Sequence, residues 1–290
     1  MNKEDISKVL SLSCVENYFL GYFQKQFDVR KLYVESFVSF NSVVDSFLNG
    51  KVSYENYPLK RLQEVAEQTG LTSHTLQKRF CLERGSLNLI RVNKEFFSNS
   101  KLLPWRADHY IAIWEGEEEY TYLNNYPLSK GILNEDRIHK IYDGVSLIFR
   151  EENKFNPQRY AELSELQYAK ILNENIKDIK IVEENMLKLR DALLVLKILR
   201  KRIFEWLQFE GENGCFDDDL SFHLQSENLI KHYENLSAII QLQSVRKKVN
   251  ISVLNEKLLQ LCEQERMWNQ TIKNRRGEIG YFTKYCGSDF

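Results

Sequence analysis

The sequence predicts an α+β chain, with a mixed first part over residues 1–153 and an all-α helical bundle over residues 154–290. Three observations predict it. Between Trp105 and Pro127, two short runs rich in aromatic and β-branched residues flank the acidic segment Glu115-Gly116-Glu117-Glu118-Glu119, as strands flank a turn. Beyond Pro157 there is no further proline, and apolar residues recur three and four apart over long spans. The chain is 43% hydrophobic and 28% charged, and its 290 residues suffice for one large core or two ordinary ones.

The first element is a helix within Ile6–Phe27, where Val15, Tyr18, Phe19, Tyr22 and Phe23 recur at helical spacing. Ser13 serves as its N-cap and Glu16, three residues on, completes a capping box. Cys14 then stands in the first turn, where free N–H groups and the positive dipole end favour a thiolate. Lys31–Leu48 is apolar enough for a strand or a helix and is closed by Gly50 and Pro58. Leu62–Leu76 has the layout of a helix-turn-helix, with Ala66 at the crossing, Gly70 at the turn and Leu76 as the second helix's core residue. Glu64, Glu67 and Glu83 offset Lys60, Arg61, Lys78 and Arg79 there, so no basic face emerges.

Ser86–Asn93 alternates apolar and polar, as a half-buried strand does. The hairpin from Trp105 to Asn125 follows, then a further strand at Gly144–Phe149, and polar Glu151–Pro157 closes the first part. In the second part, one stripe runs from about Ile176 to Phe209 through Ile179, Val182, Met186, Leu189, Leu193, Leu196, Ile203 and Leu207. Glu210-Gly211-Glu212-Asn213-Gly214 interrupts it. A second helix spans Asp217–Val249, with Asp217, Asp218 and Asp219 at its N-terminal dipole, and a third spans Ser252–Arg276. Such stripes are the core of a bundle.

Composition excludes several classes. A formal net charge of -1 gives no field for nucleic acid or an anionic membrane. No apolar run approaches the roughly 18–20 residues that span a bilayer, and the N-terminus lacks a signal-peptide layout, so a cytoplasmic protein is expected. Cys14, Cys81, Cys215, Cys262 and Cys286 form no C-x-x-C pair, and their odd number argues against a disulfide framework. His223 and His232 are nine apart, which is not a metal-ligand spacing on one helix face. With no Gly-rich phosphate loop, neither a metal site nor a bound cofactor is expected.

The hairpin has a chemical consequence. It sets His109, which opens one strand, beside Asn124 or Asn125, which ends the other. An imidazole held by an amide is what a cysteine nucleophile requires. Cys14 has the best environment of the five cysteines, and His109 follows it by roughly 100 residues.

Cys14 opening an aromatic helix, Leu103-Pro104-Trp105-Arg106-Ala107-Asp108-His109-Tyr110-Ile111 and Leu123-Asn124-Asn125-Tyr126-Pro127 together resemble papain-fold cysteine enzymes that trim bacteriocin leader peptides. They are more similar still to the family's natural-product branch, the acyltransferases of butirosin biosynthesis and the cysteine amide synthases of polythioamide (closthioamide) assembly. The resemblance covers about residues 8 to 150. It implies a papain-like fold for the first domain and a mechanism. Cys14 would take an acyl group from a phosphopantetheinyl thioester on an acyl or peptidyl carrier protein. His109 would act as base and Asn124 as its orienter, with Asn125 the fallback. A small amine would then receive the acyl group as an amide, in antibiotic or other specialised-metabolite biosynthesis.

The family usually carries aspartate where this chain has Asn124, although papain itself uses Asn. Its leader peptidases have a glutamine just before the cysteine, and Lys8–Ser13 contains none. The oxyanion donors would be the Cys14 backbone N–H with Ser11 or Ser13. Arg106 and Asp108 flank the base and either grip a substrate's polar end or pair with each other. The C-terminal helices would cover the first domain or offer a partner surface, a homodimer included. Two other readings stay open, a cysteine peptidase of the same fold and a non-catalytic interaction protein of the helix-turn-helix kind.

Overall fold

The computed structural model describes residues 1–52, 61–98, 108–116, 119–172, 174–212 and 220–279. Arg106 with the rest of 99–107, Cys215, Cys286 and the acidic run Asp217–Asp219 lie outside them. In chain order the elements are α1 (Lys3–Ser7), α2 (Cys14–Phe23), α3 (Phe40–Leu48), α4 (Arg61–Gln68), β1 (Thr72–Gln77), β2 (Leu87–Val92), β3 (Tyr110–Glu115), β4 (Tyr120–Asn125), β5 (Leu128–Leu133), α5 (Glu135–Ile141), β6 (Tyr142–Glu151), α6 (Pro157–Leu172), α7 (Met186–Glu212), α8 (Leu220–Arg246) and α9 (Ile251–Ile279). The chain is α+β, with the helical region expected after the sheet. It divides into two units, Met1–Val29 with Leu62–Asn156, and Arg30–Arg61 with Pro157–Phe290. The change at Asn156 lies near the expected boundary between 153 and 154. Residues 30–61, expected in the first domain, fall instead with the C-terminal helices.

The first unit is built on an antiparallel sheet of six strands in the order β1-β6-β2-β3-β4-β5. Its two faces can be read from the register. Leu89 pairs with Ala112 and with Leu147, and Leu87 with Phe149, so these side chains share one face. α2 packs on that face, with the Phe19 ring 5.3 Å from Phe149. Ile90, Val92, Ile111 and Ile113 point the other way and form a core with Leu133 and with Ile138 and Ile141 of α5. Each such side chain contributes about 1.5–3 kcal/mol by leaving water.

No helix-turn-helix forms. α4 ends at Gln68, Gly70 takes φ +73, and the chain enters β1, which pairs with β6 from Thr72↔Glu151 to Gln77↔Ser146. A Cβ at Gly70 would stand 2.3 Å from the Lys154 carbonyl oxygen, so the turn is shaped by close strand approach. Leu76, the expected core residue of a second helix, is 53% exposed on a strand. Residues beyond the hairpin also differ from expectation. β5 and α5 intervene before β6, and β6 is longer than Gly144–Phe149.

In the second unit, Lys31–Leu48 becomes a 3-10 helix (Val29–Ser36) followed by α3. Ser39 caps α3, and the Glu174 carboxylate accepts hydrogen bonds from the Ser39 hydroxyl (2.6 Å) and the N–H groups of Phe40 (2.9 Å) and Asn41 (2.7 Å). The long helices appear as α7, α8 and α9, with α6 as an additional helix, but 176–185 is not helical. Asn255 explains part of this difference. Its amide accepts from the Ile181 N–H (2.7 Å) and donates to the Ile181 carbonyl (3.1 Å), satisfying the backbone that a helix would otherwise satisfy. α7 continues to Glu212, inside the segment Glu210–Gly214 expected to interrupt the stripe, and 213–219 lie outside the described residues.

At the centre of this unit Arg200 and Glu265 form an ion pair at 2.5 Å, 1% and 0% exposed. Tyr233 donates to the same carboxylate (2.8 Å), Arg200 donates to the Val38 carbonyl (3.0 Å), and the guanidinium lies 5.4 Å from the Trp268 ring centre. Burial opposes the Arg200 charge, but Glu265 beside it holds the group firmly protonated. No helix among the described residues is long and apolar enough to cross a membrane.

Candidate functional site

Cys14 begins α2, and the reason is local. Ser13 has extended backbone, and its hydroxyl accepts from the Glu16 N–H at 3.1 Å, as an N-cap does. Buried Glu16 reaches one residue further back than the expected capping box, accepting from the Leu12 N–H at 2.7 Å. Asn17, on the next turn, donates to the Ser11 hydroxyl (3.0 Å) and the Ile6 carbonyl (2.8 Å). The segment preceding the thiol is therefore fixed by α2's own side chains. Ser11 and Ser13, the expected oxyanion donors, both use their oxygens as acceptors within this segment, and each retains a hydroxyl proton.

Register settles which asparagine meets the imidazole. β2 and β3 pair Arg91↔Tyr110, and the ladder continues with the Val92 N–H donating to the His109 carbonyl at 2.9 Å. His109 thus shares the face of Val92. β3 and β4 pair Ala112↔Leu123, and one step further Asn124 stands opposite Ile111 on that same face, diagonal to His109. The His109 Nε2 lies 2.7 Å from Asn124 Oδ1. Asn125 points to the opposite face, where its N–H donates to the Tyr18 hydroxyl (2.8 Å). Of the two candidates, Asn124 is the one that holds the imidazole.

The amide also fixes the tautomer. Asn124 Nδ2 donates to the Pro127 carbonyl at 3.0 Å, which orients Oδ1 toward the ring. Oδ1 can only accept, so Nε2 carries a proton, and in the neutral ring the lone pair would fall on Nδ1. His109 and Asn124 are 6% and 1% exposed. The Phe97 ring stands edge-on to the imidazole at 5.1 Å and Phe96 lies at 6.5 Å, so the pair is walled by aromatic carbon. Asn124 itself sits next to the two-residue turn that links β4 to β5, across Tyr126-Pro127 with its cis peptide.

The thiol approaches the same end of β3 from the α2 side. Cys14 Sγ lies 4.0 Å from the backbone oxygen of Asp108, in the peptide bond that leads into His109. Two phenols register its presence. Burial, with the Cys14 charge adding to it, pushes Tyr18 well above the usual tyrosine range. Tyr110 is raised by burial as well, and there Arg91 opposes while Asp108 and Cys14 reinforce. Both phenols stay neutral at physiological pH.

Asp108 does not act alone. Its carboxylate, 82% exposed, lies 3.7 Å from Arg91 Nη1. Arg91 is held in turn by Asp143, with Nε 2.9 Å from the carboxylate and Nη2 donating to the backbone oxygen at 2.9 Å. Arg106, the other residue expected to flank the base, lies outside the described residues. Arg91 was missed in the sequence, although a lone arginine within the apolar strand Leu87-Asn88-Leu89-Ile90-Arg91-Val92 was a visible signal. Among the described residues no group of three or more His, Cys, Asp or Glu is arranged to hold a metal ion.

The structure thus gathers Cys14, Asp108, His109 and Asn124 at one end of the sheet, with Arg91 beside them. Comparison with protein-family models finds no match to this chain, and neither does comparison with curated proteins.

Proposed function

We propose that the protein is a thiol-dependent acyltransferase that forms amides, with Cys14 as nucleophile, His109 as base and Asn124 as orienter. The observation that carries this reading is the anchored amide of Asn124, whose oxygen holds His109 Nε2 at 2.7 Å, with the Cys14 thiol 4.0 Å from the backbone oxygen of the residue before His109. In the first step His109 takes the thiol proton and the thiolate attacks a thioester carbonyl. The carbon–sulfur bond to the donor breaks, and the departing thiol takes the proton from His109. In the second step an amine attacks the acyl–Cys14 carbonyl, His109 accepts the amine proton, and the Cys14 sulfur leaves to be reprotonated. The Cys14 backbone N–H, at the start of α2, would stabilise the oxyanion in both steps. The resemblance to natural-product acyltransferases supports a carrier-protein thioester as donor and a small amine as acceptor.

Intact-mass spectrometry after incubation with acylated carrier proteins is the test. The expected result is an acyl adduct on Cys14, absent in Cys14→Ala and discharged as an amide when amines are added. Failure of every acyl donor to label Cys14 would overturn the reading, and cleavage of peptides without amide formation would replace it with a peptidase.

A further inference from the structure

Arg91 lies at the mouth of this arrangement on the α2 face of the sheet. It is paired across the ladder with Tyr110, and its Nη1 lies 3.7 Å from the carboxylate of Asp108, the residue whose backbone oxygen the thiol contacts. Nη2 donates to the Asp143 backbone oxygen, and the Asp143 carboxylate lies 2.9 Å from Nε, which makes no hydrogen bond. The Asp108 carboxylate facing it is beyond hydrogen-bonding distance and 82% exposed. A pair of this kind is weak and readily exchanged. The guanidinium is thus held at Asp143, while the loosely held second carboxylate belongs to the residue whose backbone oxygen the thiol contacts. Arginine's planar fork suits that exchange, because it can take an incoming carboxylate in the same geometry.

We propose that Arg91 is the carboxylate-binding residue of the Cys14 site, displacing Asp108 as it binds, so that the acyl donor or the amine acceptor carries a carboxylate near the reacting carbon. The inference rests on the reading of Cys14 as nucleophile. The phosphodiester of a phosphopantetheine arm does not fit, because it lies at the far end of the arm from the thioester, whereas Arg91 and the thiol both meet Asp108.

Two alkylating agents that differ only in a carboxylate test it on the intact protein. Rates of Cys14 modification by iodoacetate and by iodoacetamide are measured by mass spectrometry, and their ratio is the readout. Arg91→Gln should lower the ratio by about threefold or more, the effect one positive charge within several ångströms has on the local concentration of a monoanion. Arg91→Lys should retain most of it. Asp108→Asn, which removes the competing carboxylate, should raise it, and added salt should flatten all the differences.

A ratio in Arg91→Gln equal to wild type would overturn the proposal. If that variant fails to fold by circular dichroism, an unchanged ratio in Asp108→Asn would overturn it as well. The iodoacetamide rate alone reports separately on Cys14. A rate no greater than that of free cysteine counts against the nucleophile, while the ratio still reports on Arg91. Succinyl against butyryl thioesters, and β-alanine against propylamine, then distinguish the sources. Arg91→Gln should erase the preference for the carboxylate member in one of these pairs, and loss of preference in neither contradicts the proposal.

Discussion

Both units bury polar groups, but they close them differently. In the helical unit Arg200, Glu265 and Tyr233 bond to one another and to the Val38 carbonyl at the centre of the bundle. Both ends of every interaction lie inside the core, and the arrangement holds α7, α8, α9 and the segment before α3 in one register. In the sheet unit His109 and Asn124 are nearly as buried, yet their chain of bonds runs outward. It starts at the Pro127 carbonyl, passes through Asn124 and reaches the imidazole of His109, the residue after Asp108, whose backbone oxygen lies 4.0 Å from the Cys14 thiol. The first network is a matter of stability; the second is the one the proposed chemistry would use.

Alkaline pH should produce the largest effect, and it strikes both units. Burial raises Tyr18 in the sheet unit and Tyr160 and Tyr233 in the helical unit well above the usual tyrosine range. Below about pH 10 these phenols are neutral both folded and unfolded, so their contribution is fully present. Above it the unfolded chain releases protons that the folded chain keeps, and stability falls as pH rises. Phenolate absorbance followed together with circular dichroism should show these three ionising only as the fold is lost. Ionisation with the fold intact would break the claim that both cores are sealed.

Next is Glu265→Ala, which leaves Arg200 buried without its partner and Tyr233 without its acceptor. Urea denaturation should record a loss of about 3–5 kcal/mol. The exposed pair of the sheet unit is the control. Glu83 meets Arg150 at 2.5 Å, but both side chains are partly solvated, so Glu83→Ala should cost no more than about 1 kcal/mol. Equal losses would erase the distinction between buried and exposed pairing.

The two neighbouring asparagines sharpen the comparison further. Asn124→Ala strips the His109 Nε2–H and the Pro127 carbonyl of their partners at once, an expected loss of about 1–3 kcal/mol, with a larger loss of Cys14 acylation. In Asn125→Ala the backbone bond to Tyr18 survives, and only a 3.4 Å contact from the Tyr18 hydroxyl to Oδ1 is removed. Stability and acylation should then stay close to wild type. If Asn125→Ala were the more damaging variant, the register argument would fail.

Local signals in the sequence carried much of this. Ser13 and Glu16 placed the start of α2 at Cys14 because capping is chemistry within a few residues. The aromatic and β-branched runs revealed β3 and β4 for the same reason. What stayed hidden depends on distant partners. Asn124 and Asn125 differ only through parity along β4, which no local pattern reveals. β1 looked like half of a helix-turn-helix because Leu62–Gly70 is a true helix and turn, while the strand beyond is selected by pairing with β6. Residues 176–185 carry an apolar period suited to a helix, and the amide of Asn255 on α9 holds Ile181 in another conformation. Arg91 was legible as an anomaly in an apolar strand, but its neighbours Asp108 and Asp143 come from two other parts of the chain.

The central claim is that His109 activates Cys14, and the molecule contains its own reference thiol. Cys14 and Cys81 are both thiols outside any disulfide and partly exposed. The most direct test compares their rates of alkylation by iodoacetamide at neutral pH, resolved by peptide mass spectrometry, in the wild-type protein and in His109→Ala. Cys14 should react about tenfold or more faster than Cys81, and the advantage should disappear in His109→Ala. Equal rates at the two thiols, or a Cys14 advantage that survives His109→Ala, would contradict it.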